Sequence, residues 1–141
     1  MGKALIYVDS NYWIYWLDST LPEHPHVAAI MNEAIENGIT TNYVTLLEVA
    51  HHIRGLPKAS FSNFMESIQN LSTVVLTELD SQTVTLALRL LPDYASRGLG
   101  GRDCIILAAM HLADVTSIAT HDRAFRAIRG IRVVDGIPAR I

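Results

Sequence analysis

Five short runs of apolar or β-branched residues, separated by segments of helical period, constrain this chain more than any other feature. They are Leu5 to Val8, Ile39 to Thr41, Thr73 to Leu76, Ser117 to Thr120 and Ile131 to Val134. Runs this short and apolar suit strands buried on both faces, and strands that alternate with helices pair in parallel. The expected fold is α/β, a parallel five-stranded sheet flanked by helices on both faces. At 141 residues, 50% of them hydrophobic, the chain has the length and apolar content for one domain with a real core. No repeat, low-complexity tract or linker interrupts it, so 1–141 is read as a single domain.

The segments between the runs read as helices. Tyr12, Trp13, Tyr15 and Trp16 crowd the first, and the spacing of Tyr12 to Trp16 places both on one face. These rings suit core packing or a subunit contact better than base stacking, because no basic residues are interleaved with them. Pro22 to Pro25 marks a loop, followed by a helix through Ile35 that Asn37-Gly38 ends. A helix is expected from Thr45 to about Arg54, and an amphipathic one from Lys58 to Leu71. Asp80-Ser81 caps a helix that Pro92 ends or kinks, and Tyr94 to Arg97 adds a turn. After Gly98-Leu99-Gly100-Gly101, the stretch Arg102 to Ala113 is apolar nearly all round, which predicts a central, covered helix. A short helix follows from His121 to Ile128.

Composition excludes several classes. No apolar run approaches the roughly 20 residues of a membrane span, and no basic segment precedes an apolar core and cleavage site. The cytoplasm is the expected compartment. The single cysteine, Cys104, lies in an apolar run and reads as a buried, inert thiol. A formal net charge of -3 does not suit a nucleic-acid coat protein, but the charge is uneven. Only Lys3, Arg54 and Lys58 precede residue 89, whereas eight arginines crowd the last third. Either a basic rim or ordinary solvated helix faces would account for that.

Four acids fall at equivalent places in this plan. Asp9 ends the first strand, Glu48 lies in the first turn or so of the helix after the second, Asp103 opens the covered helix and Asp122 follows the fourth strand. All four project toward the carboxyl edge of one sheet, where ligands bind in open α/β folds. Each also has a structural alternative. Asp9 and Asp122 suit caps, Thr45-Leu46-Leu47-Glu48 fits a capping box, and Asp103 suits the positive end of its helix. Together they imply more, because two carboxylates about 4 Å apart at an effective dielectric near 20 repel by about 4 kcal/mol. Such a cluster shares protons or holds a cation, and an all-oxygen donor set favours magnesium or manganese. A divalent ion with open positions can activate water, polarise phosphorus and stabilise a leaving oxygen, which suits phosphodiester hydrolysis.

Four pieces in series carry a resemblance. They are Tyr7-Val8-Asp9-Ser10-Asn11, Thr45-Leu46-Leu47-Glu48-Val49, Gly101-Arg102-Asp103-Cys104-Ile105-Ile106-Leu107-Ala108-Ala109 and Thr120-His121-Asp122-Arg123-Ala124-Phe125. In order and spacing they resemble the PIN-domain ribonucleases, which include the VapC toxins of VapBC toxin-antitoxin pairs. The resemblance implies a PIN-like sheet and a metal-dependent ribonuclease whose Mg2+ or Mn2+ is held by Asp9, Glu48, Asp103 and Asp122. By the same carry-over Asn11 and Thr120 support the first and last acids. Arg102 and Arg123, each beside an acid, either steer the RNA backbone or form salt bridges. The implied partners are an RNA substrate, a VapB-like antitoxin and a second copy in a homodimer, with no membrane. Asp9→Asn or Asp103→Asn is expected to abolish cleavage and leave the fold intact.

Three rival readings carry their own signals. A haloacid-dehalogenase-type phosphatase also begins with a strand ending in Asp, but it needs a second Asp where Asn11 stands. A nucleotide-binding Rossmann module needs a glycine fingerprint where the chain has Asp-Ser-Asn-Tyr. A non-catalytic RNA-binding or assembly module with a PIN fold would not require all four acids. The histidines show no zinc spacing with a third ligand, and surface or packing roles are expected for all six, with His24 and His26 in a loop.

Overall fold

The computed structural model describes residues 5–140, and Lys3 lies outside that range. Along the chain come β1 (Ile6–Val8), α1 (Ser10–Leu17), α2 (His24–Asn37), β2 (Ile39–Asn42), α3 (Tyr43–His52) and α4 (Lys58–Gln69). Then follow β3 (Val74–Thr77), α5 (Ser81–Tyr94), α6 (Gly101–Leu112), β4 (Ser117–Ala119) and β5 (Arg132–Val134). Two 3₁₀ turns, Ala95–Arg97 and Arg123–Ala127, complete the path. The strands form one sheet in the order β3-β2-β1-β4-β5, and every neighbouring pair is parallel.

Strand alternation sorts the core into two layers. Tyr7 and Ile118 pack on one face with Ile106 and Met110 of α6 and with Phe125. Val8 and Ala119 pack on the other with Val27 and Met31 of α2, Leu46 and Val49 of α3 and Met65 of α4. All four of these strand residues are 0% exposed, so both faces are covered, as a parallel sheet requires. The path runs outward from β1 through β2 to β3, then returns by α5 and α6 to β4 on the other side of β1. The carboxyl ends of β1 and β4 therefore border the switch point where α/β sheets open a crevice.

Several local expectations shift. α2 begins at His24 instead of after Pro25, because proline is tolerated in the first helical turn, where no N–H is needed within the helix. His24 and His26 are thus helical, and His24 Nδ1 lies 2.7 Å from the Tyr15 carbonyl oxygen. α3 begins two residues before Thr45, since Asn42 caps it by accepting a hydrogen bond from the Val44 N–H. Pro92 falls within the last turn of α5, which continues to Tyr94. The helix expected over His121 to Ile128 is the shorter 3₁₀ turn. Gly38 closes α2 with φ 113°, and a side chain there would also meet Leu5 Cδ2.

The aromatic stretch of α1 is core. Tyr12 and Trp13 are 0% and 1% exposed, Trp13 meets Trp16 edge-on at 5.9 Å, and Tyr15 and Trp16 pack against the same cluster. Packing within the chain accounts for Tyr12 and Trp13, while Tyr15 and Trp16 stay partly exposed. Cys104 is likewise buried in α6, where burial raises its thiol pKa. Among the described residues no helix is long and apolar enough to cross a membrane.

Candidate active site

Asp9 leaves β1 at the switch point and is 0% exposed. Its Oδ1 accepts from the Ser10 N–H at 2.8 Å, capping α1, while Oδ2 accepts from the Thr120 hydroxyl at 2.7 Å. Thr120 directly follows β4, and its oxygen in turn accepts from Asn11 Nδ2 at 3.3 Å and from the Asp122 N–H at 3.0 Å. Asn11 Oδ1 takes the His121 N–H at 3.2 Å. One threonine hydroxyl thus joins the loops after β1 and β4, with its single proton directed at Asp9.

Glu48 is placed from the other side by the start of α3. Tyr7, buried in β1, shares a 2.6 Å hydrogen bond with Thr45 and accepts the Asn42 N–H at 3.0 Å. Thr45 is therefore turned into the core and is no part of a capping box with Glu48. The Asn42 amide donates to Thr77 and to the Glu78 carbonyl, tying the ends of β2 and β3 to the helix start. Burial pushes the Tyr7 phenol up to about 12, so it stays neutral and keeps this node intact. Tyr7→Phe is expected to cost about 2 kcal/mol in urea unfolding, because it orphans a buried N–H and a buried threonine oxygen.

The remaining acids complete the cluster. Asp103 sits in the first turn of α6, where its Oδ2 accepts the Gly100 N–H at 3.1 Å. Asp122 caps the second 3₁₀ turn by accepting the Ala124 N–H at 3.0 Å. Into the space between the four acids reaches the Arg102 side chain. Its Nη1 lies 3.1 Å from Asp9 Oδ1 and 2.8 Å from Glu48 Oε1, and its Nη2 lies 2.7 Å from Asp103 Oδ1 and 3.8 Å from Asp122 Oδ2. The structure thus brings Asp9, Glu48, Asp103 and Asp122 together around one guanidinium, with Asn11 and Thr120 bracing two of them. Burial raises the pKa of Glu48 and of Asp103, in both cases against the pull of Arg102, while the surrounding carboxylates raise that of Arg102 despite its own burial.

Arg102 accordingly lies in the acid pocket, in the salt-bridged arrangement. Arg123 is exposed at the start of its turn and makes no ion pair among the described residues. A second polar node lies behind the first, one that the sequence reading passed over. Asp135, just beyond β5, accepts from the Tyr12 hydroxyl at 2.6 Å and from the Ile137 N–H at 3.0 Å, and lies 2.7 Å from His121 Nδ1. The available signal was the one used for Asp9, an acid directly after a strand. Burial would raise the Asp135 pKa, but the hydrogen bonds from Tyr12, His121 and Ile137 outweigh it and hold the carboxyl below its ordinary range.

The donor set suits magnesium or manganese, being carboxylate oxygen throughout, and it already surrounds a cation, the Arg102 guanidinium. Among the described residues no group of three or more His, Cys, Asp or Glu side chains is placed, as they stand, to hold a metal ion. The two nitrogens of the fork engage different acids at 2.7–3.1 Å. Coordination to magnesium at roughly 2.1 Å requires the acids to draw inward. A cleft of about 610 Å³ opens beside the pocket, lined by Ser10, Val44, Leu47, Glu48, His51 and Arg102 among others.

Comparison with solved structures shows the same fold at low identity. Over 86% of this chain and 93% of the other, it is similar to VapC20 of Mycobacterium tuberculosis, a sarcin-ricin loop cleaving toxin (TM-score 0.75, 15% identity). It is also similar to a chain of DNA-bound VapBC from Salmonella typhimurium (TM-score 0.69, 18% identity, 97% and 100% covered). A toxin-antitoxin complex from Klebsiella pneumoniae gives TM-score 0.65 at 20% identity, with 94% and 98% covered. No curated protein matches the sequence. The PIN domain family model matches residues 6–131, a span that takes in four of the five strands and all four acids, and the chain therefore belongs to the PIN domain family.

Proposed function

We propose that the protein is a metal-dependent endoribonuclease, the VapC-like toxin of a toxin-antitoxin pair. The observation that carries this reading is the convergence of Asp9, Glu48, Asp103 and Asp122 on one cation at the switch point of a PIN-domain sheet. Asp9 and Asp103 would hold Mg2+ or Mn2+ directly, and Glu48 and Asp122 directly or through water. Such an ion supplies Lewis acidity at the phosphorus and at the attacking and leaving oxygens.

The chain's own residues provide the positioning. Thr120 and the Ser10 N–H orient Asp9, the Gly100 N–H orients Asp103, and the Ala124 N–H orients Asp122, so three of the four acids are held by partners other than Arg102. Arg123, exposed and next to Asp122 in sequence, would offer a contact to the RNA backbone. Tyr43, Leu47 and Leu79 are exposed on α3 and after β3, and Leu47 also borders the cleft. They provide apolar surface for an antitoxin segment or for a second copy in a homodimer. Similar chains occur in VapBC and toxin-antitoxin complexes, which supports an antitoxin as the partner. The proposed site of action is the cytoplasm.

The test is incubation of end-labelled RNA with and without manganese. Cleavage that requires the ion and leaves 5′-phosphate and 3′-hydroxyl ends is expected, since water and not the 2′-hydroxyl is the nucleophile. Cyclic-phosphate ends, or cutting that survives complete chelation, would overturn the mechanism.

A further inference from the structure

The four acids share a positive group supplied by the chain itself. Arg102, second residue of α6, lies within hydrogen-bonding distance of Asp9, Glu48 and Asp103 and 3.8 Å from Asp122. It is not what shapes the pocket. Asp9 is held by Thr120 and Ser10, Asp103 by Gly100 and Asp122 by Ala124, whether or not the guanidinium is present. Glu48 differs, because among the described residues Arg102 is the group to which its carboxylate is hydrogen-bonded. The arginine therefore supplies charge where the backbone and Thr120 supply geometry.

An ion in the same pocket would compete for the same oxygens. Asp9 Oδ1 is already shared between the Ser10 N–H and Arg102, and Oδ2 faces Thr120. Asp103 directs Oδ2 at Gly100 and Oδ1 at Arg102. On Asp9 and Asp103, the oxygens not committed wholly to Thr120 or Gly100 are those the guanidinium uses. Arg102 also has a way out, since its side chain is 31% exposed and its long, flexible stem starts at the rim of the pocket.

We propose that Arg102 is an exchangeable internal counter-ion. Its guanidinium neutralises the acid pocket until a divalent ion displaces it, and the released arginine then stands at the mouth, where an RNA phosphate arrives. The inference rests on the metal-dependent reading above and assigns that site a built-in competitor, so that ion affinity is set partly by the chain's own charge.

Two measurements test it. Binding of Mn2+ alone, followed by the loss of its free-ion EPR signal, is expected to tighten roughly tenfold or more in Arg102→Met, because one competing positive charge is gone. In the wild-type protein, phenylglyoxal labelling of Arg102, read by peptide mass spectrometry, is expected to speed up severalfold when Mn2+ is added, while labelling of the exposed Arg123 is unchanged. The second measurement needs no variant, so it stands even if Arg102→Met folds poorly. Equal affinities in a folded Arg102→Met, or wild-type Arg102 labelling that Mn2+ leaves unchanged or slows, would overturn the exchange while leaving the metal site in place. No Mn2+ binding by wild type or variant would overturn the metal reading and the exchange together.

Discussion

Asp103→Asn is expected to leave the protein folded and to lower manganese-dependent RNA cleavage on the order of a thousandfold, equivalent to roughly 4 kcal/mol of lost transition-state stabilisation. The substitution keeps the shape of the side chain at the first turn of α6. An amide oxygen can still accept the Gly100 N–H, so the local turn persists. What disappears is one negative charge and one oxygen directed at the centre of the pocket. Asp9→Asn should be equally inactive but, unlike the expectation drawn from sequence, not structurally silent. Asp9 is wholly buried and accepts from three donors, Ser10 N–H, Thr120 Oγ1 and Arg102. An amide NH2 there must face one of them, and the mismatch costs about 1–3 kcal/mol. Single-turnover cleavage and thermal unfolding on both variants separate the two effects. Near wild-type cutting by Asp103→Asn would remove the acid cluster from the chemistry.

Asp135→Ala is expected to be the most damaging polar change to stability, at about 3 kcal/mol near neutral pH. The carboxylate is almost fully enclosed, with a side chain 4% exposed, and it joins α1 through Tyr12, the loop after β4 through His121, and the following chain through the Ile137 N–H. Its removal leaves the buried Tyr12 hydroxyl without an acceptor, although the hydroxyl still accepts from the Gly136 N–H at 2.8 Å. Because the folded carboxyl pKa is depressed, its contribution is fully present above the unfolded value of about 3.9 and fades as pH falls through the folded value. The stability gap between wild type and Asp135→Ala, measured by urea unfolding, should therefore be widest at neutral pH and narrow below about pH 4. A gap independent of pH would assign the loss to packing and not to the charge.

The two nodes are adjacent but do different work. Thr120 and Asn11 face the acid pocket, while His121 turns to Asp135, so consecutive residues on one loop serve opposite sides. The position that excludes haloacid-dehalogenase chemistry by holding asparagine thus has a use here, as Asn11 bridges Thr120 and the His121 N–H.

Periodicity and end signals within the chain were enough for the five parallel strands, the helices between them and the carboxyl-edge location of four acids, because each depends on neighbours within a few residues and on burial of both sheet faces. Local competition moved the boundaries. Asn42 outbid Thr45 as the cap of α3, and Pro25 fitted inside a first turn that composition marked as loop. What no local pattern contains is the partner across a gap of many residues. Arg102 beside Asp103 reads equally as an RNA contact or as a salt bridge, until strand order places Asp9, 93 positions away, and Glu48, 54 away, within reach of its fork. Asp135 and Tyr12, separated by 123 positions, meet for the same reason. Side chains from separate loops share a pocket only once the sheet has set which strand ends lie next to each other, and that order is settled by packing across the whole domain.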